Sequence, residues 1–311
     1  MKRLQYLDQM KGIAIFLMVM GHVLLFTFGI NDSTLTHVFF LNMPVFFYVS
    51  GYLLYKEIDN RKDLVKRLQH KAARLLPPWL VVTVVMTWVQ KWEFFSTLCT
   101  FYWFFYVLFL LTLIIIVMEF VAFRHIKNAY LYCASLMIIP MVFAAIKFTG
   151  PIRYLPAPYL CQYSVPFLFG WACRRHGRLN GFVLENPVLF VVSLVVFLFC
   201  WYKHDVTNNY ILLVAALCGI IVIQSVLYHR EALGGCNLSI ISKLGKSSLA
   251  IYALNNFFLP DLRTLIPHSW VVGNGLVVEI VIVGVVTATV IACCLLVEIV
   301  FHNNKYLSKV L

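Results

Sequence analysis

Charge is what this 311-residue sequence has least of: Asp, Glu, Lys and Arg make up 12% of it, and only 13 residues are acidic against 25 that are basic. Soluble globular domains carry about 25% charged residues. That class is excluded, the more firmly because 62% of the chain is hydrophobic. The nine cysteines, at 99, 133, 161, 173, 200, 218, 236, 293 and 294, contain no C-x-x-C spacing. A zinc or disulfide framework is thereby removed, and they read as small buried hydrophobes. No phosphate-binding P-loop, no dinucleotide fingerprint and no repeat of fixed period occurs. No segment between the apolar runs is long enough to fold alone, so one domain over 1–311 is expected. The first apolar run follows Asp8 and Lys11 and lacks a small-x-small cleavage site, and it reads as a retained span.

What is present is a series of ten apolar stretches, near 10–30, 37–55, 75–92, 101–122, 129–147, 159–173, 186–203, 209–229, 247–266 and 274–300. Their lengths suit membrane-crossing helices. The fold class expected is all-α, a polytopic membrane protein with about ten transmembrane helices. With the N-terminus in the cytoplasm, all but five of the 25 basic residues fall on the cytoplasmic side; the exceptions are Lys91, Lys147, Arg153, Lys203 and Arg263. An even number of spans and two cytoplasmic termini follow from that bias, so Asp32 and Asn274 are expected outside and Leu311 inside. The net charge of +12 is then a consequence of topology. It is spread over separate short loops, which argues against a nucleic-acid partner.

Within this frame few residues can carry chemistry. Lys11-x10-His22 brackets the first span. Eleven helical steps are about three turns, so the two side chains share a face roughly 16 Å apart. With Lys11 at the headgroups, His22 lies near the bilayer middle, where an ionisable group is costly and usually functional. A lone histidine there can also be a polar contact between helices. Asp8 stands one turn before Lys11 and can pair with it locally. Between the second and third spans the densest basic region ends in Lys71-Ala72-Ala73-Arg74-Leu75-Leu76-Pro77-Pro78. Lys71 and Arg74 share one helical face before a Pro-Pro break, which makes a phosphate clamp plausible, whereas Arg61, Lys62 and Lys66 suit attraction to anionic lipid. In the second span Asn42, Tyr48 and Ser50 are candidates for binding an acceptor hydroxyl, and Pro44, Ser50 and Gly51 suit close helix packing. Trp103 belongs to an aromatic belt and could stack on a sugar ring. Glu119, Glu279 and Glu298 occupy helix ends and suit interfacial pairing or snorkelling.

Four blocks of this chain resemble the integral-membrane acyltransferases of family three, which include bacterial O-acetyltransferases of surface polysaccharides. They are Tyr6-Leu7-Asp8 through Lys11-Gly12-Ile13-Ala14 to Gly21-His22; Asn42-Met43-Pro44-Val45-Phe46-Phe47 through Ser50-Gly51-Tyr52; Lys71 through Pro78; and Leu244-Gly245-Lys246-Ser247-Ser248-Leu249-Ala250-Ile251-Tyr252. The resemblance covers most of the chain. It implies a catalytic His22 and donor-binding cations at Lys11, Lys71 and Arg74; the residues themselves add Asp8, Asn42, Tyr48, Ser50 and Trp103 as substrate-side candidates. The resemblance further implies acetyl-CoA or another acyl-CoA as donor substrate, no tightly bound cofactor or metal, a saccharide or lipid-linked glycan as acceptor, and a place in the bacterial inner membrane among its lipids. Two departures stand out. Many relatives carry a histidine after the Leu249-Ala250-Ile251-Tyr252 run where this chain has Asn255-Asn256, and Lys11 and Lys71 replace arginines, keeping charge but losing the planar fork. A secondary transporter or flippase for a lipid-linked saccharide, with His22 as a proton relay, fits the spans equally well; only the four blocks favour the enzyme.

Overall fold

The computed structural model describes residues 4–31, 40–58, 60–91, 93–94, 102–149, 155–203, 209–234, 238–273 and 275–303. Asp32, Asn274 and Leu311 lie outside them. The chain is all-helical, 85% in helix, with no strand among the described residues. Helices satisfy their own backbone hydrogen bonds, which hydrocarbon cannot do for them.

In chain order the helices are α1 (Gln5–His22), α2 (Asn42–Leu54), α3 (Arg61–Gln90), α4 (Trp103–Val121), α5 (Ala129–Leu136), α6 (Ile138–Thr149) and α7 (Ala157–Arg175). There follow α8 (Gly177–Glu185), α9 (Pro187–Lys203), α10 (Asn209–Ala232), α11 (Ser239–Lys246), α12 (Ser248–Leu254), α13 (His268–Val272) and α14 (Leu276–Asn303). A π-helical turn, Val23–Phe28, extends α1, and a 3-10 turn, Asn255–Phe257, extends α12.

Among the described residues six helices are long and apolar enough to cross a membrane: Gln5–Phe28, Arg61–Val89, Trp103–Val121, Ala129–Phe148, Ile211–Ala232 and Leu276–Asn303. A seventh arises if α8 and α9, bent by 67° at Asn186, count as one broken span. The other apolar stretches behave differently, each for a local reason. Within 37–55 the helix is only the 13 residues of α2. Over 159–173, α7 has the length but carries Gln162, Ser164, Pro166 and Gly170 and is less apolar. Over 247–266, α12 stops after seven residues. It stops where the Asn255 side chain donates to the carbonyls of Ile251 and Tyr252, at 3.2 and 2.7 Å, taking the acceptors a longer helix would use.

The third span also departs from expectation. Pro77 and Pro78 predict a helix break, yet α3 runs without interruption from its Asn60 cap, whose side chain accepts from Asp63 N at 2.9 Å, to Gln90. The two prolines remove the amides that would bond the carbonyls of Ala73 and Arg74, but the apolar length beyond them sustains the helix.

The described residues gather in two compact units, one from 1–46 and 183–309 and the other from 47–182, the boundary falling within α2. In the first unit α1 is the central element, buried along most of its length. Its start is fixed by α10: the Glu231 carboxylate accepts from Tyr6 N at 2.9 Å, and the Tyr6 ring meets Tyr228 edge-on. Farther along, α11 lies against it with backbones in contact. A methyl group on Gly12 would strike the Ile241 carbonyl, and one on Gly245 would strike the carbonyl of Asp8. Two of the sequence blocks are therefore the two sides of one helix contact, and glycine is what lets the backbones approach.

The second unit repeats the device. Gly51 of α2 faces the Phe167 carbonyl, and Gly170 of α7 faces the carbonyl of Tyr48. Gly170, within the less apolar α7, is thus a packing position.

Candidate active site

His22 is the last residue of α1, and the backbone widens immediately after it. Single π turns of this kind frequently accompany functional sites. The turn ends at Gly29, which takes a left-handed conformation with φ of 71°, where a side chain would be strained. The loop before α13 is sewn to the same turn: Leu262 N donates to Thr27 O at 3.1 Å, and Arg263 Nη2 donates to Phe26 O at 3.0 Å. These donors serve carbonyls that the widened turn displaces from the regular pattern.

The imidazole is half-buried. Its Nδ1 lies 2.7 Å from Oδ1 of Asn255, a residue with no exposed surface. The Phe26 ring packs edge-on at 5.4 Å between centroids. The hydroxyl of Thr27 and Oδ1 of Asn256, on the two turns that carry this pair, are buried without a hydrogen-bond partner among the described residues. Buried polar atoms usually have partners. These two retain capacity for one.

The other predicted residues of the first unit are Asp8, Lys11 and Asn42. Asp8 is buried and pairs with Lys11 Nζ at 3.0 Å, while Lys11 keeps 19% exposure. The acid thus orients and partly neutralises the cation at the start of α1. Asn42 turns its side chain onto the adjacent backbone, accepting from Met43 N at 2.5 Å at the head of α2.

Tyr48, Ser50, Lys71, Arg74 and Trp103 fall in the second unit. Lys71 is half-buried and Arg74 exposed, both on the face of α3 expected from their spacing. One turn earlier Arg67 donates to the carbonyls of Lys56 and Glu57, at 2.6 and 3.2 Å, tying the preceding loop to the helix. Tyr48 is fully buried beside Phe169 and belongs to the interior, whereas Ser50 is half-buried. Trp103 stacks nearly parallel with Tyr159 and Tyr163, at 4.4 and 5.0 Å between centroids, and Tyr163 stacks in turn with Phe47 at 4.8 Å. The indole's stacking partners are therefore the protein's own rings.

Sequence reasoning passed over two groups. Asn255 appeared only as the absence of a histidine, and nothing in the sequence marked it as a partner for a residue 233 positions away. Arg175 appeared only as a topological charge. It forms an ion pair with Glu119, which is buried and accepts from the Tyr132 hydroxyl at 2.7 Å, and Trp171 Nε1 donates to that hydroxyl at 2.6 Å. The same guanidinium donates to the carbonyls of Phe123 and Ile126, closing the end of α4. Beside it, burial first and the Arg175 charge second hold His176 below the usual imidazole range. Among the described residues no three His, Cys, Asp or Glu side chains gather as a metal site.

A family model described as an acyltransferase domain matches residues 4–298, which include every candidate residue above. No curated protein and no solved structure matches.

Proposed function

This chain belongs to acyltransferase family 3, and from that premise we propose that it is a multi-pass inner-membrane O-acyltransferase moving an acyl group, acetyl in the simplest case, from cytoplasmic acyl-CoA to a hydroxyl of a saccharide or lipid-linked glycan. The observation that carries the reading is the His22–Asn255 pair: a half-buried imidazole at the end of an apolar helix, one ring nitrogen engaged by a neutral amide and the other left for chemistry.

A thioester already has a good leaving group, so the enzyme must mainly deprotonate an alcohol and stabilise an oxyanion. The acceptor hydroxyl gives its proton to the free nitrogen of His22 as its oxygen bonds to the thioester carbonyl carbon. Collapse of the tetrahedral adduct breaks the C–S bond, and the departing coenzyme thiolate takes the proton back from the imidazolium. An acyl-imidazole intermediate would use the same nitrogen. The donor's phosphates are assigned to Lys11, with Asp8 holding its ammonium, and to Lys71 and Arg74. Ten spans with both termini cytoplasmic belong to the same proposal, since the basic residues then face the coenzyme's compartment.

The test is transfer by the purified protein in lipid nanodiscs. With acetyl-CoA and a saccharide acceptor, free thiol should appear in step with an acetylated sugar detected by mass. A positioned base contributes about 10² to 10⁴ in rate, so His22→Gln should lose that factor while still binding acyl-CoA. A wild-type protein that consumes no acyl-CoA with any acceptor would overturn the reading, and a transporter would behave in that way.

A further inference from the structure

We infer that Asn255 is a positioning residue that fixes the tautomer of His22, so that Nδ1 carries the proton and Nε2 is the atom that reacts. The inference deepens the acyltransferase reading and rests on it for the word "reacts"; the tautomer itself rests on geometry alone.

An amide can present either end to a neighbour, and its orientation has to be settled by its other contacts. Here the backbone settles it. The Asn255 Nδ2 group lies 3.2 Å from Ile251 O and 2.7 Å from Tyr252 O. Both are carbonyl oxygens that can only accept, so the end facing them must be the donating NH₂. Reversing the amide would set an oxygen against two oxygens. The opposite end, 2.7 Å from His22 Nδ1, is therefore an oxygen, which cannot donate. A hydrogen bond at that distance requires the proton to be on Nδ1. Neutral imidazole has one N–H, so Nε2 keeps its lone pair.

The mount is rigid as well as directional. Asn255 is fully buried at the end of α12, and the two carbonyls it engages belong to the last turn of that helix. His22 is held at the end of α1 by a helix that continues into the π turn. Because Asn255 is uncharged, it orients the ring without pairing the imidazolium as a carboxylate would. Asn255 thus orients a reacting imidazole from behind, as the partners of metal-binding histidines do, whose removal typically costs about 10- to 100-fold.

Full-length protein labelled with ¹⁵N-histidine and reconstituted in lipid gives a substrate-free reading, with His22 signals identified by their loss in His22→Gln. Wild type should show a protonated Nδ1 and an unprotonated Nε2 at a pH where the ring is neutral. Asn255→Ala should lose the single tautomer and lower kcat by about 10- to 100-fold with KM for acyl-CoA unchanged. A protonated Nε2 in the wild type overturns the inference whatever the enzyme's activity. So does an Asn255→Ala protein with the wild-type tautomer and kcat. Should Asn255→Ala not fold, the wild-type spectrum decides alone. Failure of the acyltransferase reading appears separately, as absent transfer beside the expected tautomer.

Discussion

The backbone amide of Tyr6 is held by the carboxylate of Glu231, 225 positions away, at 2.9 Å. The first amides of a helix have no partner within it, and an acceptor placed there is favoured further by the helix dipole. Here the acceptor comes from the end of another helix. The contact therefore fixes where α1 begins and, with it, the heights of Lys11 and His22.

Replacing Glu231 with Ala should destabilise the protein by about 1 kcal/mol, the usual worth of a cap, and Glu231→Gln, which keeps an acceptor, should cost less. Thermal unfolding in nanodiscs measures both. Equal midpoints for wild type and Glu231→Ala would mean that solvent serves Tyr6 as well as the carboxylate does.

Gly12→Ala and Gly245→Ala each force a methyl group onto a main-chain carbonyl of the facing helix. Neither carbonyl can rotate away as a side chain would, and overpacking of this kind costs about 1 to 3 kcal/mol. Gly284→Ala on α14, where an added methyl meets nothing, is the matched control and should leave the melting curve unmoved. Three indistinguishable curves would show that α1 and α11 separate without cost.

Arg74→Ala should weaken acyl-CoA binding by about 1.5 to 3 kcal/mol, the range for hydrogen bonds to charged groups, with kcat little changed. Raising the salt should weaken wild-type binding more than that of the variant, since the lost contact is ionic. Direct titration of acyl-CoA checks both. Equal affinities would return the cluster to lipid binding.

Reporter fusions address sidedness. Those at Asp32 and Asn274 should report an extracytoplasmic location and one after Leu311 a cytoplasmic one. A C-terminus outside would break the even number of spans on which the placement of the basic loops depends.

Much of this architecture can be read from the sequence because apolar length is a local property. The α1, α4, α10 and α14 helices announce themselves that way, and the spacing of Lys71 and Arg74 does put them on one face of α3. Other features depend on pairings that leave no periodic trace. Two prolines look like a break, yet the helix runs through them because neighbouring apolar turns outweigh two lost amide bonds. The Asn255 side chain both ends α12 and orients His22, and neither role is visible until the ends of α1 and α12 are in place. Glu119 could be expected to pair near a helix end, but its partner Arg175 looked like one more cytoplasmic charge.

The π turn after His22 also sets the phase of everything beyond it. An α-helix advances by about 100° per residue, and a turn with i to i+5 bonding accommodates more residues before it closes. Phe26, which packs on the imidazole, and the Thr27 and Phe26 carbonyls, which receive Leu262 and Arg263, all lie within that change of phase. Deleting one residue from Val23–Phe28 would let the helix close as a regular α turn and would leave His22 and Asn255 untouched in sequence. It would also rotate the receiving carbonyls away from their donors. The first helix is thus an α-helical length and a π turn joined out of step, and the histidine sits at the joint.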